Sequence, residues 1–265
     1  MSGQRKTQAA LWVALGVLVV VACTRAPVTG RSQLILVSEQ EAARLGAQAF
    51  QEVLRERPVL RSGPAVDQVL RVGRRLAAVS GLAADWRFAV IDDEQQNAFA
   101  LPGGKVAVYT GILPVTQSDA GLAVVLGHEI AHVLARHGAE RLSQGLAAQL
   151  GGTVLALALG AGPSTQTVMA AYGLGAEYGV LRPFGRTQEA EADEIGLLLM
   201  ARAGYDPREA LAFWERMERA SGARGQGPEF LSTHPSYGTR MQLIRQKLPV
   251  ALRLYEGSGD RAPGP

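Results

Sequence analysis

Two histidines four residues apart, with a glutamate beside the first, sit in an otherwise apolar stretch from Gly121 to Arg136: His128-Glu129-Ile130-Ala131-His132. On an α-helix, at about 100° per residue, the two imidazoles lie about 40° apart, one turn above the other on a single face. Two ring nitrogens so placed can share one Zn²⁺ at about 2.0–2.1 Å each. Glu129 projects beside that face, where a general base would meet a reacting water. A histidine on a buried helix is more often a hydrogen-bonded core residue. That reading does not account for two at this spacing around a glutamate.

A catalytic zinc needs a third protein ligand and an open fourth position. The metzincin extension would require Gly at 135 and His at 138, and the chain has Ala135 and Gly138. His137 comes one residue early, about 140° around an unbroken helix from His132, and reads as a structural or surface histidine. The third ligand therefore comes from another helix. Arg186-Thr-Gln-Glu189-Ala-Glu191-Ala-Asp193 opens the next strong helical pattern. Glu189 and Asp193 share a face; Glu191 points elsewhere. Glu189 would ligate zinc, and Asp193 would accept the second ring N–H of His128 or His132 and fix its tautomer. Spacing alone weighs this evenly against an acidic, solvated first turn that complements the helix dipole.

The rest of the chain supplies a scaffold. Ser38 with Glu41 forms a capping box before a helix from Glu39 to about Leu54. A second helix covers Ala65 to Ala78. Trp86 to Ile91 and Val106 to Thr110 read as short strands, separated by a turn at Pro102-Gly103-Gly104. Ala120 to about Ser143 is one long helical pattern, Thr187 to Ala203 another. Asp206-Pro207 opens a helix through about Ala220, and a last helix runs from about Ser236 to Lys247. Gly145 to Gly162 is apolar but rich in Gly and Ala; it reads as a small-residue helix pair or a flap rather than a membrane span. The fold class is α+β and mainly helical, with a small sheet whose edge strand lies over the His-Glu-x-x-His helix. Val106 to Thr110 is expected to form that exposed edge, where an extended peptide could add as another strand through main-chain hydrogen bonds. Asn97, Val106 and Val108 are the candidate substrate-binding residues.

Composition closes off other classes. With 47% hydrophobic and 19% charged residues and a formal charge of +3, the 265-residue chain is not a disordered polyelectrolyte. No dense basic stripe with interleaved aromatics supports nucleic-acid binding. The single cysteine excludes an internal disulfide and a Cys-rich zinc site. That cysteine ends an apolar run, Ala9 to Ala22, preceded by Arg5 and Lys6. The run is shorter than the ~20 residues of a membrane-spanning helix and fits a signal peptide core. Val20-Val21-Ala22-Cys23 resembles a bacterial lipobox, the alternative being an uncleaved anchor with an incidental cysteine. The expected organisation is a lipoprotein signal peptide at 1–22, a lipidated tether at 23–36 beginning at Cys23, a catalytic domain at 37–255 and a tail at 256–265. Thr24, rather than Asp, after Cys23 points by bacterial sorting patterns to the outer membrane.

Taken together, His128-Glu-Ile-Ala-His132, Arg186-x-x-Glu189-x-Glu191-Ala192-Asp193 and Ser232-Thr-His234-Pro235-Ser236 with Arg240 downstream resemble the gluzincin peptidases that include HtpX and the CaaX prenyl proteases. Pro27-Val-Thr-Gly-Arg31 and Asn97-Ala-Phe-Ala-Leu-Pro-Gly-Gly104 extend the resemblance toward the bacterial lipoprotein branch, the LoiP- and BepA-like enzymes, without a TPR array. Gly185 stands where the family usually has Ser. The resemblance implies one Zn²⁺ held by His128, His132 and Glu189, with Glu129 as catalytic base. It places His234 and Arg240 beside the metal as candidate catalytic residues that stabilise an oxyanion, although Thr-His-Pro alone reads as an ordinary loop before a helix. His234 could instead act as a fourth ligand that holds the enzyme latent, carried on the Gly/Pro-containing loop from Ser221 to Pro235. The implied activity is endoproteolysis of unfolded envelope proteins, with outer-membrane assembly machinery as a possible partner; a non-catalytic assembly factor or chaperone using the same fold is the alternative.

Overall fold

The computed structural model describes residues 23–158, 185–223, 230–231, 234 and 237–259. The chain begins as an antiparallel hairpin, β1 (Cys23–Arg25) and β2 (Ser32–Leu34). Helix α1 (Glu39–Glu56) starts where the Ser38 side chain accepts the Glu41 N–H. It leads through β3 (Val59–Leu60) to α2 (Pro64–Val79). Three strands follow, β4 (Arg87–Ile91), β5 (Ala98–Leu101) and β6 (Lys105–Tyr109). After a short α3 (Leu113–Thr116) come α4 (Asp119–Leu134), α5 (His137–Ala158), α6 (Arg186–Arg202), α7 (Glu209–Ala223) and α8 (Tyr237–Glu256).

The larger sheet has the order β3-β4-β6-β5, with β4 and β6 parallel and the outer pairs antiparallel. Alternation along its strands sorts two cores. Val90, Val106, Val108 and Ala98 face α2 and α4 in the main core, with Leu122, Leu126 and Ile130 of α4 and Phe213, Trp214 and Met217 of α7. Ile91, Phe99, Leu101, Ala107 and Tyr109 face Phe50 of α1.

This arrangement corrects the placement of the edge. Val106 and Val108 are both 0% exposed on an interior strand paired on both sides, so neither can meet a peptide. The uninterrupted Val-Ala-Val-Tyr run fits a strand covered on both faces. The edge beside β6 is β5, Ala-Phe-Ala-Leu, a four-residue strand too short to show alternation in the sequence. Asn97 immediately precedes β5, buried, with its Oδ1 accepting the Ala98 N–H at 2.9 Å.

Two helix boundaries also differ from expectation. The long pattern from Ala120 breaks at Ala135–Arg136, where Arg136 adopts a left-handed φ of 62° and starts a new helix at His137. The last helix continues past Lys247 through Pro249 to Glu256, because Ala251, Leu254 and Tyr255 pack on the main core. The segment 145–162 is helical to Ala158, and its remainder lies outside the described residues. No described helix is long and apolar enough to cross a membrane.

Candidate metal centre

Helix α4 is placed by its ends and its glycines. Ser118 caps it by accepting the Gly121 N–H at 3.0 Å, and Asp119 in its first turn pairs with Arg71 of α2 at 2.8 Å. Every residue from Gly121 to His132 is buried. Gly127 on α4 and Gly196 on α6 meet backbone to backbone: a Cβ on Gly196 would stand 2.9 Å from both Gly127 C and the His128 nitrogen. That close approach brings the Glu189 end of α6 over the histidine face of α4.

Four donors converge there. His128 Nε2 is 3.0 Å from His132 Nε2 and 3.4 Å from Glu189 Oε2. His132 Nε2 is 3.4 Å from Glu189 Oε1, and His234 Nδ1 is 3.0 Å from Glu189 Oε1 and 3.2 Å from His128 Nε2. One ligand atom from each of His128, His132, Glu189 and His234 fits within 4.8 Å of the others, all four residues buried. A tetrahedral ion holding its donors at about 2.0–2.1 Å spaces them about 3.3 Å apart, which is the spacing found. The acidic, solvated reading of Glu189 fails on its 1% exposure.

The outer sides of the cluster are occupied. Asp193 Oδ1 accepts from His128 Nδ1 at 2.9 Å, which leaves Nε2 as the lone-pair nitrogen facing the cluster. Arg240 donates Nε to Asp193 Oδ2 at 2.6 Å and Nη2 to Glu189 Oε2, and stacks 4.0 Å over the Trp214 ring. Its guanidinium thus joins the two carboxylates of α6 rather than pointing into open space. Phe230 packs beside both His128 and His234. Burial alone would lower the His128 pKa, but Glu189 and Asp193 reverse that and raise it to about 9. Burial opposes ionisation of Glu189 too, yet His234 and His128 hold its carboxyl far below the usual range. His234 is lowered to about 4, chiefly by burial.

Glu129 sits one step aside. Burial pushes its carboxyl up to about 8, with His128 and the Ala100 backbone N–H pulling the other way. Its Oε1 is buried, has no hydrogen-bond partner among the described residues and lies 3.4 Å from His234 Nε2. An orphaned buried carboxylate oxygen beside a four-donor cluster fits a site built for a cation and a reacting water.

His137, Glu191 and Arg31 join the site although their sequence spacing does not bring them there. The break at Arg136 frees His137 from the helical angle expected of it, and its ring lies against His132, with Nδ1 to Nδ1 at 2.8 Å. Glu191 does face away from the cluster, as its spacing implied, but toward His137 at 3.0 Å and Arg31 at 2.6 Å. It is lowered to about 2 against burial, by His137, Thr29 and Arg31. The histidine five residues after His132 was the available signal.

The pattern of Peptidase family M48 matches residues 66–248, more than half the chain and all of this cluster. This chain belongs to peptidase family M48. Among its M48 relatives, the mitochondrial metalloendopeptidase OMA1 of Schizosaccharomyces pombe is 40% identical over 229 residues, 85% of this chain and 66% of the relative. The human mitochondrial metalloendopeptidase OMA1 is 34% identical over 246 residues, 87% of this chain and 47% of the relative. The beta-barrel assembly-enhancing protease of Yersinia pestis is 33% identical over 182 residues, 66% and 37% respectively. The chain thus spans between about a third and two thirds of these relatives' lengths. Membership, the metalloendopeptidase relatives and the donor cluster agree on a metalloprotease. The relatives also widen the expected branch: similarity reaches mitochondrial enzymes as well as the BepA-like proteases of bacteria.

Proposed function

We propose that this M48 chain is a zinc-dependent endopeptidase of the bacterial envelope that hydrolyses unfolded or misfolded proteins. The observation that carries the reading is the convergence of His128, His132, Glu189 and His234 beside Glu129 Oε1, which has no hydrogen-bond partner among the described residues. His128, His132 and Glu189 would hold the ion, which when bound supplies Lewis-acid chemistry. Glu129 takes a proton from the attacking water and returns it to the departing amine. Its buried, raised carboxyl suits a group that must hold a proton transiently near neutral pH. Asp193 orients His128, and Arg240 positions Glu189 and Asp193 by bonding both. An extended substrate would lie along β5, whose Ala100 N–H faces Glu129. Because main-chain pairing demands a free strand, folded proteins are poor substrates.

For location, the lipobox-like Cys23 and the bacterial relative named for β-barrel assembly support a lipid-anchored enzyme at the periplasmic face of the outer membrane. On that reading residues 1–22 are the signal peptide, 23–36 the lipidated arm, 37–255 the catalytic domain and 256–265 the tail, with assembly machinery of outer-membrane proteins as a partner. Residues 1–22 lie outside those described.

Metal content and casein cleavage, measured side by side for wild type and Glu129→Gln, test the proposal. Wild type should bind one zinc and cleave; the variant should bind one zinc and lose about 10²–10⁴ in rate. Equal cleavage by both would remove Glu129 as the base, and envelope function restored by the variant would favour a non-catalytic scaffold. A second reading concerns His234, whose Nδ1 already sits within the donor cluster. As a fourth ligand it would keep the resting enzyme latent, and His234→Ala should then raise basal proteolysis. Loss of activity in that variant would instead assign His234 to oxyanion stabilisation. The loop bearing it, Ser221 to Pro235, lies largely outside the described residues.

A further inference from the structure

The hairpin at the start of the described chain is tied to the metal centre by a continuous run of hydrogen bonds. Arg31, which follows the turn between β1 and β2, donates Nε to Glu191 Oε2 at 2.6 Å. It also donates Nη1 and Nη2 to the two oxygens of Glu140, at 2.9 and 2.6 Å. Thr29 Oγ1 donates to the other Glu191 oxygen. Glu140 is on α5 and accepts from Gln188 Nε2 of α6 at 2.7 Å. A single guanidinium therefore fastens α5 to α6. Leu36 adds a main-chain bond from its N–H to Ser143 Oγ of α5 at 2.8 Å.

The same carboxylate continues inward. Glu191 Oε2 is 3.0 Å from His137 Nε2, and His137 Nδ1 is 2.8 Å from His132 Nδ1. Proton placement along this line has one consistent solution. For His132 Nε2 to offer a lone pair to an ion, its proton must sit on Nδ1. That N–H then donates to His137 Nδ1, so the His137 proton sits on Nε2 and donates to Glu191. Every group is used once, with both rings neutral. His137 is 0% exposed, so its ring meets the His132 N–H away from bulk solvent.

We propose that Arg31, Glu191 and His137 form a strap that positions His132, making the N-terminal arm a working part of the metal centre. His128 is oriented directly by a carboxylate; His132 is oriented at one remove, through a second imidazole whose own carboxylate is gripped by the arm. None of the three touches the reacting groups; they are positioning residues. Removing a partner of a metal-bound histidine typically weakens the metal by about 10- to 100-fold. Arm and site are coupled, since whatever pulls Arg31 off Glu191 loosens His132.

The inference rests on His132 as a ligand, and the test separates the two. Zinc affinity is measured by chelator competition on the full chain, with far-UV circular dichroism to confirm folding, for His132→Ala, His137→Ala, Glu191→Ala, Glu191→Gln and Arg31→Ala. The expected result is loss of zinc in His132→Ala and about 10- to 100-fold weaker binding in His137→Ala and Glu191→Ala. The double variant His137→Ala/Glu191→Ala should bind zinc no more weakly than the weaker of the two single variants, because both act through one ring. Glu191→Gln, still able to accept from His137, should recover part of the loss. If His137→Ala does not fold, Arg31→Ala at the partly exposed outer end of the line decides: weaker zinc with an unchanged spectrum supports the strap, and wild-type affinity overturns it. Unchanged affinity in His137→Ala and Glu191→Ala, or losses that multiply in the double variant, also overturn it. Unchanged affinity in His132→Ala would remove the ligand assignment and the strap together.

Discussion

Replacing Gly196 with alanine asks whether the approach of α6 to α4 sets the geometry of the metal centre. The added Cβ would stand 2.9 Å from Gly127 C and from the His128 nitrogen, and 3.0 Å from Gly127 O. Carbon contacts settle at about 3.5–4.0 Å, so the helices must part by about 0.5–1 Å at the crossing. All three crowded atoms are backbone on a fully buried helix, with no side chain to turn aside. Metal–donor distances tolerate only about 0.2 Å. The crossing carries His128 on one helix and Glu189 two turns away on the other, so the separation reaches the donor set almost undiminished. Overpacking should cost about 1–3 kcal/mol of stability. Zinc affinity should fall at least about tenfold, the equivalent of about 1.4 kcal/mol. The assay is urea denaturation followed by circular dichroism, with zinc competition against a chromogenic chelator. Gly145→Ala on α5, where a Cβ meets nothing within 4 Å, is the control and should match or exceed wild-type stability. A Gly196→Ala protein that unfolds and binds zinc like Gly145→Ala would refute the reasoning.

Other outcomes follow from the same contacts. Arg240→Ala leaves Glu189 and Asp193 facing each other without their shared cation and should cost about 3–5 kcal/mol in a denaturant titration; a loss under 1 kcal/mol would show that the guanidinium is not what holds the carboxylates. Asp119 is held below its ordinary value of 3.8 by its Arg71 bond, burial opposing. A carboxylate depressed in the fold contributes stability above its ordinary pKa and loses it as pH falls through the folded value. Asp119→Asn should therefore be about 0.5–1 kcal/mol less stable than wild type near neutrality, with the gap closing below pH 3.8. A gap that persists in acid would contradict the assignment.

Much of the centre was written in local spacing. The four-residue interval of His128 and His132 and the interval of Glu189 and Asp193 each need only helical geometry, and both survive in the fold. What local periodicity cannot carry is where one helix stops. Arg136, a non-glycine residue in a left-handed conformation, ends α4 without a glycine or proline to announce it, and an angle measured across that break misplaced His137. Sheet order is equally hidden: β5 is four residues with two alanines, too short and too bland to register, so sequence alone puts the edge at the neighbouring apolar strand β6. Arg31 stands in a motif that carries the family resemblance, but nothing local marks its partners, because Glu140 and Glu191 lie more than a hundred residues away. Charge pairing at such separations is set by tertiary structure and leaves no trace in a window of sequence.

The edge of the sheet has its own implication for how the site senses a guest. The N–H groups that β5 turns outward are engaged, that of Ala98 by Asn97 Oδ1 and that of Ala100 toward Glu129. An extended ligand that completes the sheet at Ala100 must take that N–H from the carboxylate. Occupancy of the edge is then reported to Glu129 over a single bond, and its proton affinity changes on docking without any helix having to move.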